Sequence, residues 1–411
     1  MFDTKQMSER VILVGVQTAD GDDTQDSLDE LEQLAETAGA VSAGRVIQNR
    51  EQPHPATYLG KGKLDEVKEL LWETGADGIL CDDELSAAQL SNLEKQLDTK
   101  VMDRTLVILD IFASRAITRE GKIQVELAQL KYRAARLVGL RDSLSRLGGG
   151  IGTRGPGETK LEVDRRRIHE RISWLKAQLR DVERHRDVTR KKRMNDRIPV
   201  AAIVGYTNAG KSTLLNTLTG AGILAEDQLF ATLDPTTRAL KLPGGETVLL
   251  TDTVGFIRKL PHHLIEAFRS TLEEARYADF ILHVVDGSNP QAQKQMHVVY
   301  ETLKSLEIGG KPVVTLLNKC DRPECSRNMR DFQADETLAV SAVTGQGLDE
   351  LREVLARLLQ NRKIYVERFY RYPDAGKIQL IRRYGQLMQE DYREEGIAVA
   401  GYVPAQIAQK L

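Results

Sequence analysis

From Val11 to about Arg115, short apolar runs (VILVGV, GILC, VMD) alternate with segments whose apolar residues recur at helical spacing (TQDSLDELEQLAETAG, LDEVKELLWETG, SAAQLSNLEKQL). Short, wholly apolar runs suit strands buried on both faces, and the helical segments between them suit crossovers, so the pattern predicts a parallel sheet covered by helices. The rhythm then changes. Ile123, Leu127, Leu130, Ala134, Leu137 and Leu144 keep an a/d spacing, and Leu161, Ile168, Ile172, Leu175, Leu179 and Val182 repeat it, which predicts two long helices. Between them GGGIGTRGPGE cannot continue a helix, so the pair is expected to fold back as an antiparallel hairpin with a glycine-rich tip. A helix of roughly 24 residues runs about 36 Å and carries such a tip beyond a compact domain. From Ile198 to about Asn361 strand and helix patterns alternate again, and the last 50 residues read as strand (KIYVERFYR), helix (AGKIQLIRRYG) and two strands (QLMQEDYRE, IAVAGYV). The expected class is an α/β multidomain chain: an N-terminal α/β domain over 1–118, a helical hairpin over 119–197, a P-loop domain over 198–361 and a small α+β domain over 362–411.

Composition alters this outline little. With 58 basic and 60 acidic residues among 411, the chain is not a polycation, so a nucleic-acid partner must be met by a local patch. One segment supplies it: between Arg119 and Arg197 there are 22 Lys plus Arg against 11 Asp plus Glu, including Arg154 in the tip and the cluster RKKR, Arg190 to Arg193. A charge run is commonly a solvated helix face, but basic residues at the tip and end, with acids along the helix bodies, favour phosphate-backbone contact. No apolar run approaches the roughly 18 residues of a membrane span, and the N-terminus lacks the apolar stretch of a secretory signal, so cytoplasmic location without membrane insertion is expected. Cys81, Cys320 and Cys325 are too few for a disulfide framework, and Cys320 with Cys325 lacks further zinc ligands, so reduced structural thiols are expected.

GYTNAGKS, following the strand-like VAAIV and opening a helix, fits GxxxxGKS. Gly205, Tyr206, Thr207, Asn208, Ala209, Gly210, Lys211, Ser212 and Thr213 would close backbone N–H groups around α/β-phosphates at a helix N-terminus, with Lys211 reaching the β/γ-phosphates and Ser212 a magnesium ion. NKCD, Asn318, Lys319, Cys320 and Asp321, follows PVVTLL and resembles the guanine-reading NKxD of GTPases, whose Asp accepts from guanine N1–H and the 2-amino group. Adenine offers neither donor, so such a site discriminates strongly. In SAVTGQG, Ser341, Ala342 and Val343 resemble the loop that backs the base, with the Ala342 N–H as the contact. DTVG, Asp252, Thr253, Val254 and Gly255, resembles the DxxG of switch II: Asp252 would hold magnesium through water, and the Gly255 N–H would sense the γ-phosphate. Upstream, Phe230, Ala231, Thr232, Leu233 and Asp234 of FATLDPTTR form the switch I candidate, in which Thr232 would ligate magnesium, with Thr236 and Thr237 as rivals. Catalysis would thus rest on Lys211, Thr232 and Gly255, and the metal on Ser212, Thr232 and Asp252. After DTVG, where many GTPases place a water-orienting Gln, stands Phe256, which predicts slow hydrolysis until a partner supplies a group or cation. Asn208 matches a position that binds potassium in some GTPases lacking the Gln, and it can equally cap the loop.

Together with DTVGFIRKLPH and GGGIGTRGPGETKLE, these motifs closely resemble the HflX family of translation-associated GTPases over nearly the whole chain. The resemblance implies GTP and GDP as ligands with magnesium. It also implies binding to the large ribosomal subunit through rRNA and ribosomal proteins, hydrolysis stimulated there, and dissociation of stalled or idle ribosomes, notably under stress. The residues ahead of the P-loop would be the ribosome-engaging arm. Two rivals stand beside this reading: a ribosome-assembly or monitoring GTPase that splits nothing, and a non-hydrolysing rRNA-binding scaffold, which the intact Lys211, Ser212, Asp252 and Asp321 argue against. LGKGK, Leu59 to Lys63, is either a phosphate contact, as in the second nucleotide site proposed for some relatives, or more simply a glycine turn starting a helix. His262 and His263 read as an exposed loop at the start of the switch II helix, and a monomer is the default expectation.

Overall fold

A computed structural model describes residues 8–19, 23–145, 156–196, 198–220, 228–261, 264, 274–361, 363–409 and 411. The apolar runs of the first hundred residues become β1 (Arg10–Gln17), β2 (Val41–Asn49), β3 (Gly78–Cys81) and β4 (Lys100–Asp103), all parallel in the order β2-β1-β3-β4. Alternation along β1 sends Val11 and Leu13 to one face and Ile12 and Val14 to the other, so each face needs its own cover. The first face is covered by α1 (Thr24–Thr37) through Leu28, Leu31 and Leu34, and by α4 (Arg104–Arg115) through Ile108 and Phe112. The second is covered by α2 (Lys61–Thr74) through Leu64 and Val67, and by α3 (Ala87–Leu97) through Leu93 and Leu97. LGKGK begins a helix: Leu59 is buried, Gly60 caps α2, and its N–H donates to Gln48 at 2.8 Å.

The a/d pattern forms α5 (Arg119–Ser145) and α6 (Pro156–Asp196). Ile123 and Leu127 meet Ile172 and Leu175 along the seam, and Arg171 grips Glu126 with contacts of 2.7 and 3.1 Å. At 41 residues α6 spans about 60 Å, well beyond the sequence estimate, because its polar C-terminal half continues the helix without an apolar stripe. The tip with Arg154, and His262 and His263, lie outside the described residues. The opposite face of α5 packs on the N-terminal domain: Val125 and Ala128 join its core, Tyr132 donates to Asp103 at 2.7 Å, and Arg136 bonds the same carboxylate at 2.5 Å while stacking on the Tyr132 ring. The hairpin is therefore braced against the first sheet.

The third unit contains β5 (Val200–Gly205), α7 (Lys211–Thr219), β6 (Thr236–Lys241), β7 (Thr247–Asp252), β8 (Phe280–Asp286), α8 (Ala292–Ser305), β9 (Val313–Asn318), β10 (Glu336–Ala339) and α9 (Leu348–Asn361). Its sheet runs β10-β9-β8-β5-β7-β6, with β6 alone antiparallel to its neighbour. Because β5 lies between β8 and β7, its C-terminal end sits where the strand order reverses, the crevice in which doubly wound sheets bind ligands. The last unit is an antiparallel sheet, β11 (Lys363–Arg371), β13 (Gly396–Pro404) and β12 (Gln386–Arg393), covered on one face by residues 372–377, α10 (Ile378–Tyr384) and α11 (Ala405–Ala408). Lys363 ties it to Glu246 in the β6–β7 turn.

Cys81 is free and buried, and the turn after β9 folds the chain back until Cys320 and Cys325 lie side by side, their Cα atoms 5.1 Å apart, with Cys320 Sγ donating to the Leu317 carbonyl at 3.2 Å.

Candidate nucleotide site

The phosphate loop is shaped by close backbone approach. A Cβ on Gly205 would lie 2.2 Å from the Val284 carbonyl oxygen, and one on Gly210, whose φ is +93°, would lie 2.3 Å from Asn318 Nδ2, so neither position admits a side chain. Asn208 is left-handed at φ +59°, and Lys211 to Thr213 open α7 with their N–H groups at its positive end. The Lys211 ammonium is buried and donates to the Tyr206 carbonyl at 2.7 Å. Burial pushes its pKa down to about 8, because a charged amine is poorly solvated there.

That shift has a measurable consequence. Phosphate anions favour the ammonium and raise its pKa again, so nucleotide binding takes up a proton above about pH 8 and weakens as pH rises, whereas near pH 6.5 Lys211 is already charged and contributes no pH dependence. Titration calorimetry of GTP in two buffers of different ionisation enthalpy is expected to give uptake approaching about one proton near pH 9 and almost none near pH 6.5. Absence of uptake at pH 9 would contradict this.

Three oxygens converge beside the loop: Ser212 Oγ is 2.8 Å from Thr232 Oγ1 and donates to Asp252 Oδ2 at 2.7 Å. Asp252 is buried, its pKa raised by desolvation, and its Oδ1 has no hydrogen-bond partner among the described residues. Two hydroxyls and an incompletely satisfied buried carboxylate form a donor set that suits a hard divalent cation such as magnesium. The rivals of Thr232 are elsewhere, since Thr236 and Thr237 are in β6 and Thr237 pairs with Thr251 at 3.0 Å. Gly255 is held so close that a Cβ would come within 2.9 Å of Lys211 Nζ. Phe256 is packed into the core, with its carbonyl accepting from Thr207 N–H at 2.8 Å, so the position after DTVG presents no polar group to the phosphates.

At the other end Asn318 braces two loops, donating to Ala209 O at 2.8 Å and accepting from Ala342 N–H at 2.9 Å. Lys319, left-handed at φ +64°, pairs with Asp286 at 2.7 Å. Asp321 is exposed rather than buried, accepts from Ser341 Oγ at 2.7 Å, and has its pKa lowered chiefly by that bond. Val343 is exposed beside it, while Cys320 is buried under the turn.

Several residues read as nucleotide contacts also face the N-terminal domain, Phe230 while lining the same pocket as the phosphate loop. Phe230, at φ +55°, meets Phe112 edge to face with centroids 4.7 Å apart, and Leu233 is buried in the same core. Asp234 accepts from Ile117 and Thr118 N–H at 3.1 and 2.9 Å, at the entrance to α5. Tyr206 sends its hydroxyl to Glu30 and receives the Arg258 N–H at 2.8 Å. Lys259, left-handed at φ +52°, pairs with Asp82 and with Asp83, the latter at 2.7 Å. Behind them Arg104, buried with its pKa lowered to about 10 by desolvation, joins Asp82 at 2.8 Å and Glu30. No local pattern announces Glu30, Asp82, Arg104 or Lys259, because their partners are distant in sequence. Between α1 and the phosphate loop lies a cavity of about 370 Å³ lined by Gln33, Glu36, Asn208 and Gln228.

A glycine-shaped phosphate loop at the sheet's switch point, the FATLD and DTVG segments beside a cation-suited oxygen cluster and an NKCD turn braced to that loop define a P-loop GTPase. Family descriptions match along the chain in order: GTP-binding GTPase N-terminal over residues 25–113, GTP-binding GTPase middle region over 115–193, and 50S ribosome-binding GTPase over 200–319. The GTPase HflX of Lacrimispora saccharolytica is 67% identical over 99% of this chain and 96% of its own, and that of Escherichia coli is 41% identical over 97% and 94%. A GTP-binding protein from Sulfolobus solfataricus, solved in complex with GDP, is 24% identical over 86% of this chain and 98% of its own, at a TM-score of 0.45. The chain belongs to the HflX family of GTPases. Among the described residues no helix is long and apolar enough to cross a membrane.

Proposed function

We propose that this GTPase acts in the cytoplasm as a monomer that binds the large ribosomal subunit, through rRNA and ribosomal proteins, and dissociates stalled or idle ribosomes into subunits. The observation that carries the reading is the clamp between the N-terminal domain with its hairpin and both switch segments. Phe230 and Asp234 are held by Phe112 and the start of α5, and Lys259 by Asp82 and Asp83. Lys211 would neutralise the β/γ-phosphates, Ser212, Thr232 and Asp252 would hold magnesium, and the Gly255 N–H would report the γ-phosphate. Any reordering of the switches must then move residues 1–118 and the arm 119–197 against the G domain 198–361. Binding energy would do the mechanical work, and hydrolysis would reset the cycle.

Phe256 supports slow turnover by the free protein, since it offers neither donor nor acceptor to a water. GTP turnover is expected to rise at least about tenfold with purified large subunits, within the range of groups supplied by a partner; an equal rate with and without them would overturn the reading. Asn208, beside the phosphates, is the proposed potassium ligand, and identical turnover in sodium would remove that assignment.

The clamp makes a separate prediction. Lys259→Met removes the ion pairs to Asp82 and Asp83 while leaving Arg104 on Asp82. Large-subunit stimulation should fall roughly five- to tenfold, the lower part of the usual coupling range, with GTP affinity nearly unchanged. Unaltered stimulation would separate the clamp from the switch.

A further inference from the structure

The uncovered face of the C-terminal sheet carries an unusual set of side chains. Val366, Tyr370, Ile397, Val399 and Val403 point to the covered face, so residues of opposite parity point away from it. In register, Tyr365 lies opposite Tyr402, Phe369 opposite Ala398 and Arg371 opposite Gly396, and β12 brings Arg393 to the other side of Gly396. Tyr365, Phe369 and Tyr402 are 53%, 47% and 39% exposed, and the two tyrosine rings meet at 5.3 Å. Phe369 leans along the central strand, its ring tip 3.0 Å from where a Cβ on Gly396 would be. Gly396, Ala398 and Ala400 thus floor a shallow trough bearing three aromatic rings.

A solvent-facing antiparallel sheet ordinarily places polar residues outward, and nothing in the packing of this domain requires rings there. Tyr365 and Phe369, four positions apart on one strand, are about 13 Å apart, a separation that lets two bases of one splayed strand, with a nucleotide between them, stack one on each. At the far end the exposed guanidiniums of Arg371 and Arg393 flank the trough, and neither has a hydrogen bond or ion pair among the described residues. Glu367, exposed between the rings, offers an acceptor to base amino groups. On this face the exposed carboxylates of Glu367 and Asp391 balance the two guanidiniums, so ring stacking rather than net charge would supply the affinity. Rings that take flat base faces beside paired guanidiniums that take phosphates fit a single nucleic-acid strand; a duplex keeps its base faces stacked on one another.

We propose that the open face of β11, β13 and β12 binds an unpaired RNA strand by stacking bases on Tyr365, Phe369 and Tyr402. This surface is distinct from the nucleotide site and from the basic hairpin, and it does not depend on ribosome splitting. The test uses the full chain with a labelled ten-nucleotide unpaired RNA carrying 4-thiouridine, and a duplex of the same length as comparison. Photocrosslinks should map to residues 363–371 and 396–404. Tyr365→Leu with Phe369→Leu should weaken the unpaired strand at least about tenfold and leave the duplex unaffected. Tyr365→Phe should restore most of the loss when combined with native Phe369. GTP turnover and melting temperature of the double variant should match the parent, which separates lost stacking from misfolding. Unchanged affinity with crosslinks confined to the hairpin would overturn the proposal. So would a double variant that keeps RNA affinity but loses large-subunit stimulation, because the face would then dock a protein.

Discussion

Asp321→Asn is expected to lower GTP affinity by about a hundredfold and to create binding of xanthosine triphosphate. The Asp321 carboxylate is positioned by Ser341, with its pKa held low by that bond, and so presents an acceptor to guanine N1–H and the 2-amino group. An Asn amide offers one acceptor and one donor, so a base donor loses its partner and meets a like group. Losing a charge-assisted bond and setting two donors against each other amounts to about two decades in Kd. Xanthine carries a carbonyl where guanine has the amino group and therefore accepts from the new NH2. Competition of both triphosphates against a fluorescent analogue measures the exchange; an unchanged preference for GTP would place base recognition elsewhere. Because Asp321 is exposed in the structure, the melting temperature without nucleotide should hardly change.

The second large effect belongs to Lys211→Met. Its ammonium is buried and its pKa is lowered to about 8 by desolvation, so below that pH the fold bears the cost of a poorly solvated charge. With phosphates present the same charge neutralises the β/γ-oxygens, and its loss should reduce turnover by about a thousandfold, the upper range for one preorganised electrostatic group. The sign of the stability effect is opposite. A group whose folded pKa is depressed below its unfolded value of 10.5 destabilises the charged state, fully at pH values below about 8 and progressively less toward 10.5. Empty Lys211→Met protein should therefore melt at or above the parent temperature at pH 7, with the difference shrinking near pH 10. Scanning calorimetry across that range checks it, and a markedly lower melting temperature at pH 7 would show that Lys211 supports the fold.

The phosphate loop was legible because its geometry leaves few residue choices: Gly205 and Gly210 touch neighbouring groups that no Cβ would tolerate, and the strand VAAIV leads straight into it. The same holds for Asn318, whose side chain must bridge Ala209 and Ala342. The alternating pattern of β1 and the a/d seam of the hairpin were readable because one physical demand, burial, recurs at a fixed period. What sequence did not disclose was the interface. Glu30, Asp82 and Arg104 read as ordinary helix and strand-end residues, and only the folded chain joins them to Tyr206 and Lys259. For the same reason the sequence does not disclose that Phe230, Leu233 and Asp234, beside the nucleotide pocket, also contact the N-terminal domain. That Cys320 and Cys325 adjoin depends on a local turn whose closure composition does not reveal.

The clamp gives the resemblance a physical form: the segments that would sense the γ-phosphate are also those that hold the arm. The central claim is that this coupled movement separates ribosomal subunits. Its most direct test is a sucrose-gradient profile of purified 70S ribosomes incubated with the protein and GTP, a non-hydrolysable analogue or GDP. The account predicts free subunits with GTP and with the analogue but not with GDP, because binding in the triphosphate state does the work. Intact ribosomes in all three, with GTP turnover still rising on the large subunit, would contradict it.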